Sequence, residues 1–220
     1  MTATGRRTSP CWKTYVGRPE ADRFRRSAIT QLGNGLNETY RYEDALSVQE
    51  AELSLERRLG APEESILLVK GNLANTYARL GRNDEALSTY REAYGGCKSL
   101  YGNCDIRTLM AANNLTFQLL KQGKHAEAVS TLREPLSDSR RALGDDHEMT
   151  LGLKSLLADC MMNTKTNPTV DDVREAIAIR DDVCKRSRRL LGRSHPSTQI
   201  RQRALDAARL HLARRLPEEG

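Results

Sequence analysis

Glycines that close charged, helix-like stretches recur at nearly regular intervals along this chain of 220 residues. Gly60, Gly144 and Gly192 each follow a leucine, and Gly102 follows Leu100-Tyr101. Successive glycines of this set lie 42, 42 and 48 residues apart. A period of roughly 20 to 50 residues is typical of solenoids, in which a unit too small to bury its own apolar face stacks on its neighbours. The spacing therefore predicts a repeat array, whose long surface favours binding over catalysis.

The segments between these glycines predict two helices in each unit. Leu73, Ala74 and Tyr77 share one helical stripe, and the same pattern returns in the segment that begins at Asn114. Gly81 and Gly123 follow these stripes, where a left-handed residue commonly ends a helix. A small residue then follows in every unit, at the point where we expect the two helices to cross, and the four residues are Ala45, Ala86, Ala128 and Ala176. Alternating β-branched runs are absent, so no strand is assigned.

We expect one continuous repeat domain from residue 21 to residue 216. The predicted parts are a basic, disordered leader at 1–20, units at 21–60, 61–102, 103–144 and 145–192, a capping helix at 195–216 and a tail at 217–220. Tyr40 occupies the turn position of the first unit, which is therefore expected to be irregular. Pro135 is expected to kink the second helix of the third unit. An insertion at Thr164–Val170 lengthens the turn of the fourth unit.

Cysteine usage and the lack of long apolar runs predict a cytoplasmic protein. The five cysteines form no CxxC pair and have no histidine at zinc spacing, so we expect neither a metal nor a disulfide framework. No segment approaches the length needed to span a membrane, and no apolar run near the start fits a signal peptide. A transit peptide is the alternative interpretation of the basic leader.

The repeated residues resemble the tetratricopeptide repeat. The pattern that carries this resemblance consists of Leu73-Ala74, Tyr77, Gly81, Ala86, Tyr90 and Ala93. The segment that runs from Leu191-Gly192 to His195-Pro196 and Thr198 closely resembles the linker of the longer, 42-residue variant found in kinesin light chains and related proteins. The resemblance implies an all-α fold, a right-handed superhelix (α-solenoid) of about four helix hairpins and a capping helix. It also implies a non-enzymatic scaffold or adaptor without cofactors.

In such arrays the first helices of successive units line a concave groove that holds a peptide of a partner protein. The residues that this resemblance places on the peptide-binding helices are Asn72, Asn75, Arg79, Asn113, Asn114, Phe117 and Lys121. An asparagine amide both donates and accepts, so spaced amides suit a peptide main chain of any sequence. The alternative is that some of these amides satisfy backbone groups at repeat junctions. Arg79 and Lys121 favour an acidic peptide, with a purely solvated position as the alternative for each.

Chaperone-binding relatives recognise a C-terminal carboxylate with a clamp of asparagines and cations. Asn34 and Asn75 match the two asparagines of that clamp. Met110 and Asn114 occupy the positions at which it has Lys and Arg, so binding of heat-shock chaperone tails is disfavoured.

Catalytic chemistry finds no support in the sequence. His147 and His195 occupy the same linker position and are interpreted as structural turn residues. No serine, cysteine or carboxylate stands beside a histidine in a nucleophile motif, and no glycine-rich phosphate loop is present. We therefore expect no enzymatic activity.

The alternative function is binding of nucleic acid or an acidic surface through the C-terminal segment. Residues 173–220 contain twelve Lys or Arg against six Asp or Glu, within a net charge of +6 for the chain. The densest cluster comprises Lys185, Arg186, Arg188, Arg189 and Arg193. Basic clusters can neutralise phosphates, but a solvated helix face is the competing interpretation. The absence of interleaved aromatic residues argues against single-stranded nucleic acid.

Overall fold

The computed structural model describes residue 15 and residues 17–162 and 168–214. Most of the predicted leader, residues 164–167 of the predicted insertion and the whole predicted tail lie outside these residues. The described residues form nine helices and no strand. The predicted all-α fold is therefore confirmed, and it is built from successive helix hairpins.

The helices follow one another through short turns. Their bounds are α1 Arg23–Glu38, α2 Tyr42–Arg58, α3 Glu63–Arg79, α4 Asn83–Tyr101, α5 Ile106–Lys121, α6 His125–Leu143, α7 Glu148–Met161, α8 Val170–Leu191 and α9 Pro196–Ala213. Contacts divide the chain between Leu100 and Tyr101 into two compact units. The first unit contains α1 to α4 and the second contains α5 to α9. The predicted repeat boundaries and the single array remain predictions.

Within each unit, the first helix of one hairpin packs against the first helix of the next. In the first unit α1 contacts α3, and in the second unit α5 contacts α7. The alanines predicted at the helix crossings, Ala45, Ala86, Ala128 and Ala176, have no exposed surface. A larger side chain at such a site forces the helices apart, so close packing depends on these small residues. Helix α6 continues through Pro135, which is buried, and the kink there remains a prediction.

The turn between the helices of a hairpin has the same geometry in the first three repeats. Gly81 and Gly123 both have φ of 76°, and Tyr40 has φ of 62° at the corresponding position. The amide of the next residue, Arg41, donates to the Leu36 carbonyl at 2.9 Å, as Arg82 does to Tyr77 at the same distance. The turn of the first repeat is therefore regular in backbone geometry, although a tyrosine there accepts conformational strain that glycine avoids.

The linker motif acts as a helix start. His147 and His195 are the N-caps of α7 and α9, and each Nδ1 accepts from the amide two residues later at 3.2 Å. Asp105 does the same for α5 through a carboxylate oxygen. The structural role predicted for these histidines is therefore helix capping, in which the imidazole accepts a hydrogen bond from an amide that has no partner within the helix.

A buried polar cluster joins α1 to α2 in the first unit. Glu52 is only 2% exposed and accepts a hydrogen bond from the Thr30 hydroxyl. Glu56 is also buried and forms an ion pair with Arg26. Burial, aided by the neighbouring Glu56 charge, raises the pKa of Glu52 to about 7 from an ordinary value of 4.5.

Two glycine substitutions in the first unit should have opposite effects on stability. Alanine at Gly81 should cost about 1 kcal/mol, since a side chain is strained at this positive φ although the surrounding space is open. Alanine at Gly95, exposed within α4 and equally open, should stabilise the fold by about 0.5–1 kcal/mol. Urea unfolding followed by circular dichroism measures both. Equal effects of the two substitutions would contradict the turn assignment.

Stability should fall as the pH rises through about 7, the pKa of folded Glu52. Between pH 4.5 and 7 the folded state keeps a proton on Glu52 that the unfolded chain has released. The stabilisation that protonated Glu52 gives the folded state is therefore complete below pH 4.5 and is lost above pH 7. Glu52→Gln should reduce the difference in unfolding free energy between acidic and alkaline pH by roughly 3 kcal/mol. Glu43→Gln, at an exposed position of the same helix, is the control and should leave the difference unchanged.

Candidate functional site

Helix α3 separates its residues into a packing face and an exposed face. Leu67, Leu73, Ala74 and Thr76 are buried. The opposite face carries four residues that we call the α3 stripe, namely Leu68, Asn72, Asn75 and Arg79. Spacings of four, three and four residues place them on one side of a helix. Leu68 is 59% exposed, Asn75 and Arg79 are exposed, and Asn72 is half-buried.

Helix α5 repeats this arrangement with every position shifted by 42 residues. Its exposed face carries the α5 stripe, namely Met110, Asn114, Phe117 and Lys121. Met110 is 53% and Phe117 is 64% exposed. Both stripes therefore run from an apolar side chain, through an amide, to a cation. Asn113, which the sequence also suggested, is half-buried and lies beside the stripe rather than on it.

The packing faces hold these helices firmly. The Asn37 amide on α1 donates to the Thr76 hydroxyl at 2.7 Å, and that hydroxyl donates to Gln49 on α2 at 2.6 Å. This chain of hydrogen bonds ties α3 to both helices of the preceding hairpin. In the second unit, Leu109 and Leu119 of α5 have no exposed surface. Each stripe thus projects from a helix whose orientation is fixed by buried contacts.

The amides of the stripes are available for a ligand. Among the described residues, the side chains of Asn72, Asn75 and Asn114 form no hydrogen bond. An amide that already satisfied a backbone group would lose that bond on binding a peptide main chain, whereas these three amides lose none. Asn34, the other asparagine of the clamp comparison, is half-buried on α1.

The amide and cation pattern does not continue onto α7. A shift of a further 42 residues from the α5 stripe leads to Gly152, Leu156, Asp159 and Asn163, of which Asn163 lies outside the described residues. Leu156 is buried, and the Asp159 carboxylate accepts a hydrogen bond from Arg180. Burial raises the pKa of Asp159, against the opposite effect of Arg180. At the three equivalent positions that the structure describes, helix α7 therefore presents neither an amide nor a cation.

The basic cluster of α8 is largely paired within the chain. Lys185 bonds to Asp181 at 2.6 Å. Arg186 contacts both Asp146 and Asp182 at 2.7 Å, and Arg189 also pairs with Asp146. Arg188 hydrogen-bonds to Gln202 on α9. Cations held by carboxylates contribute less to phosphate binding, since each new contact must replace an existing one.

The described part of the chain offers neither a cluster of metal ligands nor a membrane-spanning helix. Those residues contain no group of three or more His, Cys, Asp or Glu placed to hold a metal ion. None of the described helices is both long and apolar enough to cross a bilayer. The four cysteines within this part, Cys97, Cys104, Cys160 and Cys184, form no disulfide.

Sequence reasoning missed the apolar residue that begins each stripe, although it included Phe117. Leu68 and Met110 were absent from the predicted site, although each lies four residues before a predicted asparagine. An apolar residue on an amphipathic helix is ordinarily taken as core. The signal that identifies them is the equal 42-residue spacing of all four pairs.

Comparison with known proteins supports the repeat interpretation. A family model described as tetratricopeptide repeat matches residues 67–103 and 108–148. Sequence comparison with curated proteins gave no match. Among solved structures, BtubC (BKLC) from P. vanneervenii is similar over 97% of this chain and 87% of its own, with 18% identity and a TM-score of 0.76.

Two further structures share the fold. A Podosopora anserina protein with nearly identical TPR-like repeats, whose name assigns it to the kinesin light chains, is 19% identical, covers 90% of each chain and has a TM-score of 0.73. A Rap protein complexed with Competence and Sporulation Factor is 17% identical, covers 96% of this chain and 59% of its own, and has a TM-score of 0.60. At these identities the likeness concerns the fold.

Adjacent residues of α5 should respond differently to alanine. Leu115→Ala should lower the free energy of unfolding by about 2–5 kcal/mol, because it leaves a cavity at a buried position. Asn114→Ala should change it by less than about 0.5 kcal/mol, because this residue is exposed. Urea titration of both variants provides the measurement. A larger loss for Asn114→Ala than for Leu115→Ala would show that the two faces of α5 are wrongly assigned.

Proposed function

Because the chain is a tetratricopeptide repeat protein of the kinesin light chain-like type, we propose that it is an adaptor for a partner protein, whose peptide segments bind at the α3 stripe of the first unit and at the α5 stripe of the second unit. The tetratricopeptide repeat fold suggests a protein–protein interaction scaffold, and such scaffolds are generally non-enzymatic. The observation that carries the proposal is the shared register of the two stripes, in which apolar, amide and cationic side chains recur 42 residues apart on exposed helix faces.

The chemistry of the stripes favours a peptide over a small molecule. Asn72 and Asn114 offer a donor and an acceptor each, which matches the alternating N–H and C=O groups of an extended chain. Leu68, Met110 and Phe117 offer exposed apolar surface to the partner's side chains. These groups are spread along helices rather than gathered in one pocket, as recognition of an extended segment requires.

The charges of the stripes favour an acidic partner. Arg79 and Lys121 stand at the end of each stripe, and neither stripe contains a carboxylate. An acidic residue of the peptide would gain a charge-assisted hydrogen bond at Arg79. The Rap protein is known in complex with Competence and Sporulation Factor, and this precedent on the same fold supports a protein or peptide partner here.

The described cysteines, which form no disulfide, suit the reducing cytoplasm, where we place the protein. A role in nucleic-acid binding is disfavoured, because the ion pairs of Lys185, Arg186 and Arg189 already engage most of the basic cluster of α8. Cargo binding of the kind that the resemblance to kinesin light chains implies is the specific form of adaptor function that we propose.

Affinity capture from a native lysate tests this proposal. The bait is the full chain, the double variant Asn72→Ala/Asn114→Ala and the two single variants. Loss of both amides should weaken affinity for the partner about thirtyfold and lower its recovery accordingly, since two hydrogen bonds of roughly 1 kcal/mol each are removed. Each single variant should show a smaller loss. Quantitative mass spectrometry measures recovery.

The matched control is Ser88→Ala/Ser130→Ala. These serines are exposed on the second helices α4 and α6 and are also 42 residues apart. The control should retain the partner, and both double variants should melt at the wild-type temperature. Undiminished capture by the asparagine variant, or an equal loss in the serine variant, would rule out the stripes as the binding surface.

A further inference from the structure

The second unit contains a cleft that is separate from the α5 stripe. It lies between the start of α6, the end of α7 and the start of α8, and its volume is about 910 Å³. Val129, Leu157 and Met161 form part of its apolar wall. Sites for small ligands typically enclose about 300 to 1,000 Å³ with mostly apolar walls and a few polar groups. The cleft shares no lining residue with either stripe.

Two opposite charges face this cleft without pairing to each other. Arg133 comes from α6 and Glu175 from α8. Among the described residues, neither side chain forms an ion pair or a hydrogen bond. Asp172 also lines the cleft, but its carboxylate is occupied by the Thr169 amide at 2.8 Å and the Thr169 hydroxyl at 2.7 Å. Arg133 and Glu175 are therefore the charges available to a ligand.

A buried histidine adds unsatisfied hydrogen-bonding capacity to the wall. His125, the first residue of α6, is 6% exposed, and both of its ring nitrogens are buried without a hydrogen-bond partner. A neutral imidazole carries one donor and one acceptor, and burying them unpaired is costly. Rotation about χ2, which has a broad energy profile, can turn a nitrogen towards an occupant of the cleft.

These groups together favour one ligand class. Arg133 and Glu175 are exposed charges that can bind an anion and a cation, and the buried His125 lacks both a donor and an acceptor partner. A simple anion or amine satisfies only one of the charges, whereas a peptide with free ends offers both charges, amide groups and apolar side chains. We propose that this cleft binds a short apolar peptide, with its carboxylate at Arg133, its amino group at Glu175 and an amide at His125.

Nuclear magnetic resonance with defined peptides tests the proposal on the full chain. The probe is trileucine with free ends, compared with N-acetyl-trileucine and trileucine amide, and the signals observed are the Met161 methyl and the His125 imidazole. Trileucine should produce saturable shifts. Blocking either end, or substituting Arg133→Gln or Glu175→Gln, should weaken binding about two- to fivefold, as expected for a partly exposed charge pair.

Paired variants separate binding in the cleft from binding elsewhere. Ala126→Trp places a large side chain in the cleft wall and should abolish the shifts. Ala178→Trp, exposed on α8 outside the cleft, should preserve them, as should Arg174→Gln, whose partner Asp171 is exposed. Circular dichroism checks that each variant is folded.

The outcomes are decisive in both directions. Loss of binding in Ala126→Trp, together with weaker binding of the blocked peptides, supports the proposal. Absence of saturable shifts up to about 10 mM trileucine, or shifts that persist in Ala126→Trp, overturns it. Equal affinity of N-acetyl-trileucine also overturns it, since the C-terminal tail of a larger protein then suffices. None of these results bears on the stripes, because the variants leave α3 and α5 unchanged.

Discussion

The structure depends on one packing constraint: a single helix hairpin cannot bury its own apolar face, so hairpins must stack closely. The completely buried alanines at the helix crossings, such as Ala86 and Ala128, permit that close approach. Stacking uses only one side of each first helix. The other side is left exposed, and in α3 and α5 it carries the stripes that we propose as the binding surface. The packing contacts and the proposed binding surface thus lie on opposite faces of the same helices.

The register of the stripes is maintained by local backbone chemistry. A left-handed residue ends the first helix of each of the first three hairpins, and an N-cap begins α5, α7 and α9. Fixed helix ends set which residues face the neighbouring helix, because each added residue rotates the helix by about 100°. Residues that lie 42 positions apart in the sequence therefore occupy equivalent positions on the exposed faces of α3 and α5. Tyr40 shows that the turn geometry persists even where the residue is unfavourable.

Local sequence signals predicted most of the fold. Turn glycines, small residues at helix crossings and linker histidines act within a few residues of themselves, so the sequence alone revealed the hairpins. The same signals placed Asn75 and Asn114 on exposed faces. They failed for Leu68 and Met110, since hydrophobicity by itself does not tell which apolar residue lacks a neighbour. They also missed the pairing of Arg186 with Asp146, which lies 40 residues earlier. The cleft beside His125 was equally invisible, because three separate helices form it.

The central claim is that the exposed stripes of α3 and α5 contact a partner polypeptide. Site-specific photo-crosslinking tests it most directly, with a benzophenone amino acid placed in turn at Asn75, Phe117, Ser88 and Ser130 of the full chain. All four positions are exposed, the first two on the stripes and the last two on second helices. We expect Asn75 and Phe117 to crosslink to the same partner in a native lysate and both serine positions not to do so. Crosslinks to that partner from Ser88 and Ser130, with none from the stripes, would contradict it.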